Sequence, residues 1–230
     1  MSVEVVYGRN PVKELVAAGR RRVHEVLALA DLAKEPWVAA LRPNVVDRAA
    51  IGKAAGTGDN QGIVAFADAY PYVDGRAVLD ASGPVICLDR LQDPRNLGAV
   101  ARVADGVGAA GIVIARRGSP GVTGAVCKTS AGAIEHVRLA QVENLASFLH
   151  DAKSPERWVV GADEDATEDY RDVEWDTGAI VVIGAEGEGL RPRVRSMCDR
   201  LVRIPMAGHV ASLNLSVATA LLLFETSRQR

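Results

Sequence analysis

IPMAGHVASLNLSVATALLLFE, residues 204–225, decides how this chain is read. An apolar end, Leu201 to Ile204, has the look of a strand and runs into a loop holding Gly208 and Ser212. Beyond it Leu213, Val217, Leu221 and Phe224 recur at helical spacing, so the stretch reads as strand, tight loop and buried helix. Ser212 and Asn214 fall where the helix starts and its first backbone N–H groups lack intrahelical partners. Both residue types favour N-caps, so capping and a functional role stand side by side for each.

Upstream, the pattern from Val85 onward is one of short apolar runs separated by helical stretches. VICL, GIVIA, WVV, AIVVIG and LVRI are the runs; NLGAVARVADGV, NLASFLHDA and PRVRSMC are the helices. That alternation predicts an α/β fold with a parallel sheet, in which ligands bind outside the carboxyl ends of the strands. The loops after strands are therefore the places to look. One is DRLQDPRNLGAVAR, where Asn96 sits as the expected N-cap and Leu97, Val100, Ala101, Ala104 and Val107 form one apolar helix face. Arg102 lies off that face, about 9 Å along the axis from Asn96 at the α-helical rise, with its side chain leaning back toward the helix start. A second is IGAEGEGL, where Gly184, Gly187 and Gly189 permit close backbone approach and Glu186 stands among them. It matches neither the dinucleotide fingerprint nor a phosphate loop.

Residues 1–70 read as a separate small α/β unit: VEVVYG a strand, a helix beginning at Asn10 and Pro11 and stopped by Gly19, VHEVLAL a second strand, QGIVAFA a last one. YPYVDGRAVLDASGP, with its breakers Pro71, Gly75, Gly83 and Pro84, reads as a linker over 71–84, leaving 85–230 as the second domain.

Composition bounds the class. The 230 residues, 48% hydrophobic and 24% charged, suffice for a sizeable core, and no run reaches the roughly 18 apolar residues of a membrane span. The N-terminus lacks the apolar core of a signal peptide, so a cytoplasmic protein without membrane association is expected. Three well-separated cysteines, Cys87, Cys127 and Cys198, argue against disulfides and zinc alike and read as buried thiols. His24, His136, His150 and His209 show no metal-ligand spacing, and no metal is expected. A net charge of −2 does not announce a nucleic-acid binder. Local arginine clusters remain: Arg20 to Arg22, assigned to phosphate contacts, then Arg90, Arg95 and Arg102, then Arg116 and Arg117, and finally Arg191, Arg193 and Arg195.

NLGAVAR, IGAEGEGL and IPMAGHVASLNLSVA, in this order at the ends of three strands, resemble the three motifs of the SpoU (TrmH-type, SPOUT superfamily) RNA ribose 2′-O-methyltransferases. KTSAGAIEH, residues 128–136, is similar to the branch acting on guanosine in large-subunit (23S) ribosomal RNA. VYGRNPVKELV with NQGIVAF resembles that branch's L30e-like substrate-binding domain. The resemblance implies a C-terminal parallel-sheet domain with a deep trefoil knot, a homodimer, and S-adenosylmethionine as cofactor. It implies catalytic roles for Arg102, Asn96, Glu186, Ser212 and Asn214, and cofactor contacts from Gly184, Gly189, Ile204, Met206 and Leu213. Transfer RNA as substrate, a non-catalytic RNA-binding assembly factor and a phosphate-binding hydrolase are the competing readings. The last lacks any Lys or metal-ligand cluster beside the Gly-rich turn.

Overall fold

A computed structural model describes residues 2–155, 157–175, 178–185, 187–209 and 212–229. In chain order the first elements are β1 (Val3–Tyr7), α1 (Arg9–Ala18), β2 (Val23–Ala28), α2 (Pro36–Ala39), β3 (Asn44–Val45), α3 (Arg48–Ala55) and β4 (Ile63–Asp68). There follow α4 (Gly75–Leu79), β5 (Val85–Leu88), α5 (Pro94–Gly106), β6 (Gly111–Ala115), α6 (Gly124–Thr129), β7 (Leu139–Val142), α7 (Leu145–Ala152) and β8 (Val159–Ala162). The chain closes with β9 (Glu168–Asp169), β10 (Ile180–Ile183), α8 (Pro192–Arg195), β11 (Arg200–Arg203) and α9 (Leu215–Arg228). These elements pack as two units, Met1–Pro71 with Gly121–His136, and Tyr72–Pro120 with Val137–Arg230.

The first unit holds a four-stranded sheet in the order β1-β4-β2-β3, antiparallel except for the β2–β3 pair. α1 buries Pro11, Val12 and Leu15 and ends at Gly19, whose left-handed backbone (φ 63°) closes the helix through a hydrogen bond to the Leu15 carbonyl. The helix starts at Arg9 with Gly8 as its N-cap, two residues before the expected Asn10–Pro11 start. Pro11 falls within the first turn, where its missing N–H costs nothing.

Residues 121–136 belong to this unit although they lie far along the chain. Gly124 of α6 faces the Tyr7 ring, where a Cβ would come within 2.6 Å of Cε1, and Gly132 (φ 93°) leaves room for Glu14. An ion pair holds the segment in place. The Arg21 guanidinium, 1% exposed, pairs with the equally buried Glu135 carboxylate and with Glu4 at 2.8 Å, and donates to the Asp68 carbonyl. Burial works to discharge Arg21, but the charge and hydrogen bonds of Glu135 outweigh it and its pKa is raised. Its neighbour Arg20 donates to the Glu135 carbonyl and lies 5.6 Å from the Tyr70 ring centroid. The expected phosphate-binding triplet is thereby corrected: Arg21 is inside the unit, Arg20 is half-buried, and Arg22 is the one exposed member.

The second unit is built on a seven-stranded sheet in the order β7-β6-β5-β10-β8-β11-β9, parallel at every pair. Its middle strands are apolar and buried throughout, as strands covered on both faces require. Val85, Cys87, Ile180 and Val182 form one core with Val78, Leu145, Leu149 and Val194 of α4, α7 and α8. Strand alternation turns Ile86, Leu88, Val181 and Ile183 the other way, and α5 and α9 pack against each other and against β6 and β10. β7 and β9 escaped the sequence reading because LAQV and ED contain no apolar run.

Of the stretch expected as a linker, 71–84, residues 72–84 are part of this unit. Val73 bridges Ala140, Asp74 caps α4 through the Arg76 N–H (2.8 Å), and Val78 is buried. Gly75 is required there because a Cβ would meet the Phe148 ring at 2.8 Å. Cys87 and Cys127 are buried and Cys198 partly so; burial pushes the Cys127 and Cys198 thiols up to about 12. The last helix also departs from expectation. Leu215, Thr219, Leu222, Leu223 and Thr226 are its buried residues, whereas Val217, Leu221 and Phe224 are 47%, 37% and 57% exposed. α9 is apolar on nearly every side, so periodicity could not say which stripe faces the sheet.

Candidate active site

All the strands of the second sheet run the same way, so β5, β8, β10 and β11 end at one edge and their following loops share it. After β5 comes Asp89, fully buried, which accepts from the Arg191 backbone N–H (2.9 Å) and its Nε (2.8 Å). Arg90 takes a left-handed backbone (φ 60°), and its guanidinium pairs with Glu188 and donates to the Gly189 carbonyl (3.2 Å). The two residues clamp the C-terminal end of the Gly-rich loop that follows β10. Within that loop the Gly189 N–H donates to the Ala185 carbonyl at 3.0 Å, and a Cβ on Gly184 would collide with the backbone of Gly189 and Leu190. Gly187 (φ 76°) and Gly189 (φ 61°) hold conformations that side chains resist. Glu186 lies outside the described residues.

The loop after β5 leads into α5. Asp93 is its N-cap, accepting from the Arg95 N–H at 2.7 Å, and Pro94 occupies the first helical position. The Arg95 backbone and side-chain hydrogen bonds hold the Asp93 carboxyl below its usual range. Asn96, expected as the cap, is instead in the first turn with its side chain free to reach outward. It accepts at 3.2 Å from Nδ2 of Asn214, while Asn214 caps α9 by accepting from the Ser216 N–H (2.9 Å) and hydroxyl (2.7 Å). Capping and contact with Asn96 are thus combined in Asn214. Leu97, Val100, Ala101 and Ala104 face inward, and Arg102 is exposed on the other side of α5 with no hydrogen bond or ion pair among the described residues.

Beside these helix starts lies a cleft of about 300 Å³ between the ends of β8, β10 and β11. Gly184, Gly189, Ile204, Met206, Ser212 and Leu213 line it. Its opposite rim is acidic, with Asp163, Glu164 and Asp165; Asp163 is bound to the Arg195 Nε at 2.5 Å. Six of the residues to which the resemblance gives catalytic or cofactor roles therefore share this cleft, Asn96 and Asn214 are joined, and Arg102 stands apart on α5. The sequence reading missed Asp89 and named Arg90 and Arg191 only as members of arginine clusters, without their roles at the Gly-rich loop. The signal was present in Asp89 and Arg90 directly after the apolar strand β5, where only a buried pairing makes an aspartate tolerable. Among the described residues no group of His, Cys, Asp and Glu is placed to hold a metal ion, and no helix is long and apolar enough to cross a membrane.

Fold and site together define an α/β protein with a ligand cleft at the carboxyl edge of a parallel sheet, preceded by a smaller module. Residues 83–224 match the SpoU rRNA methylase family and residues 5–73 match the RNA 2′-O ribose methyltransferase substrate-binding domain, and the chain belongs to this family. A Bacillus subtilis protein named as a TrmH-family tRNA/rRNA methyltransferase is 45% identical over 180 residues, 76% of this chain and 72% of the relative. One of the same name in Staphylococcus haemolyticus is 36% identical over 98% of this chain and 96% of its own length. Among solved structures, the SpoU methyltransferase AviRb of Streptomyces viridochromogenes, crystallised with AdoMet, superposes with a TM-score of 0.84 over 98% of this chain and 89% of that one at 24% identity, a likeness of fold. A TrmH-family structure from Porphyromonas gingivalis gives 0.77 at 26% identity, over 99% and 90% of the two chains.

Proposed function

We propose that this protein methylates the ribose 2′-hydroxyl of a guanosine in large-subunit (23S) ribosomal RNA, with S-adenosylmethionine as donor, in the cytoplasm. The observation that carries the reading is the Asn96–Asn214 hydrogen bond, which ties the starts of α5 and α9 together beside the cleft of Gly184, Ile204, Met206 and Leu213. Residues 1–71 with 121–136 serve as the RNA-binding module, and 72–120 with 137–230 as the catalytic one.

The cleft fits the cofactor in chemistry. Apolar Ile204, Met206 and Leu213 suit a neutral adenine, the glycine backbone lets its edge reach main-chain groups, and Glu164 and Asp165 oppose the donor's positive charge. When bound, the cofactor supplies an electrophilic methyl on a sulfonium. The chain's own residues must place the ribose and weaken its hydroxyl proton. Arg102 is the residue for the second task. A guanidinium stays protonated in proteins, so its role is to hold an RNA phosphate and stabilise the developing alkoxide while the hydroxyl proton leaves to water. Asn96, oriented by Asn214, directs the ribose; Ser212 and Glu186 complete the substrate side.

The reading includes a homodimer and a trefoil knot. The exposed stripe of Val217, Leu221 and Phe224 supports the first, since an apolar face of this kind suits a second copy. The strand order supports the second, because β10 lies between β5 and β8 although it follows β8 in the chain. The test is transfer of labelled methyl from S-adenosylmethionine to unmodified 23S RNA and to transfer RNA, by wild type and Arg102→Ala, with sedimentation velocity on both. Dimers that label one alkali-resistant guanosine in 23S RNA, and lose about a hundredfold or more in rate on Arg102→Ala, are expected. Labelling of transfer RNA alone would move the substrate, and no labelling of either would refute the reading.

A further inference from the structure

At the other end of the same sheet, where the strands begin, a concavity of about 420 Å³ is lined by Lys153, Ser154, Trp158, Asp199 and Arg200. Trp158 immediately precedes β8 and Arg200 opens the neighbouring β11, so parallel register brings both to this edge. The Arg200 guanidinium lies 4.3 Å from the Trp158 ring centroid and is held there by Glu168 at 2.8 Å. The indole, 37% exposed, carries a cation on its ring, while the Trp158 backbone carbonyl accepts from the Ile180 N–H at 2.8 Å and anchors the residue to the sheet. Beside it Lys153 and Asp199 form an ion pair at 2.6 Å, and the second carboxylate oxygen of Asp199 accepts from the Val159 N–H at 2.9 Å.

We propose that this concavity binds a guanine base from a single-stranded segment of the RNA substrate. The inference rests on the RNA reading above but uses none of the residues of the methyl-transfer cleft. Stacking comes first, because a half-exposed aromatic with a cation beside it is a sequence-tolerant seat for a base. The polar wall then selects the base. Each Asp199 oxygen keeps a lone pair beyond the bond it already accepts, and Lys153 keeps two donors. A carboxylate next to an ammonium therefore presents two acceptors and a donor, the complement of guanine N1–H, N2–H and O6. Adenine offers a single donor group on that edge and cytosine likewise, so both leave part of the wall unmatched. Phosphate is the poorer occupant, since Lys153 and Arg200 are already neutralised by Asp199 and Glu168.

The experiment titrates GMP and AMP, and then a guanosine-containing single-stranded oligonucleotide, into the full-length protein. Tryptophan fluorescence and anisotropy are read for wild type, Trp158→Leu, Trp158→Phe and Asp199→Asn. GMP should quench more strongly than AMP, and Trp158→Leu should weaken oligonucleotide binding about tenfold, the size of one base–aromatic stack, with Trp158→Phe restoring most of it. Asp199→Asn, whose amide oxygen can still accept from Val159, should abolish the preference for GMP over AMP. In methyl transfer, Trp158→Leu should raise the KM for RNA and leave kcat unchanged. Unaltered oligonucleotide affinity in Trp158→Leu, or equal quenching by GMP and AMP in the wild type, overturns the site. If the wild type methylates no RNA yet binds GMP through Trp158, the guanine site stands and the proposed reaction falls.

Discussion

The two units use charge in opposite ways. In the first, an arginine and a glutamate 114 residues apart are sealed inside and join segments of chain that local sequence does not connect. In the second, the sheet interior is apolar from β6 to β8, and charged groups gather at the strand ends, where Asp89 and Arg90 brace the Gly-rich loop and Arg102 projects from α5. The difference teaches that an arginine-rich stretch carries no fixed meaning. Arg21 is a structural clasp, while Arg102 is exposed and available to a substrate.

The largest test of that contrast is Glu135→Ala. It leaves the Arg21 charge buried with Glu4 alone, and removing one partner of a buried pair should cost about 3–5 kcal/mol, read as a lowered urea midpoint. A loss below about 1 kcal/mol would mean that water or Glu4 satisfies Arg21, and the contrast between the units would dissolve. A smaller effect is expected from Asp93→Ala in the second unit. Deleting an exposed N-cap should cost about 1 kcal/mol, and the loss should be the same whether or not RNA is bound. The smallest concerns Asp169, whose carboxyl the Arg171 hydrogen bonds hold down at about 2 from an ordinary 3.8. A carboxyl depressed in the folded state lends stability that is complete above pH 4 and disappears as pH falls toward 2. Unfolding followed between pH 5 and 2 should show a shallower loss in Asp169→Asn than in wild type; identical slopes would show that this surface pair contributes nothing measurable.

Much of this was legible in the sequence. The apolar face of α5, the strands VICL, GIVIA and AIVVIG, and the cap at Gly19 follow from local periodicity and backbone preference, which travel with the residues themselves. The placement of Asn96 within the first turn was also legible in principle, since Asp93–Pro94 is a stronger helix start than Asn96–Leu97. The outward stripe of α9 was not, because Leu, Ala and Val occupy every side of it. Arg21 was illegible for a different reason. Nothing near it in sequence predicts that a glutamate beyond residue 130 will meet it in the core, and a run of three arginines reads as surface until its partner is known.

The clasp between Arg21 and Glu135 also sets a timetable for synthesis. A chain made from its N-terminus presents β1, α1, β2 and β4 early, yet the charge at their centre has no core partner until α6 and the turn after it have left the ribosome. Until then Arg21 must stay hydrated and the sheet around it open. The first module to be made therefore closes only after residue 136 has emerged, and a fragment ending at residue 71 would leave Arg21 with Glu4 and the Asp68 carbonyl but without the buried carboxylate of Glu135.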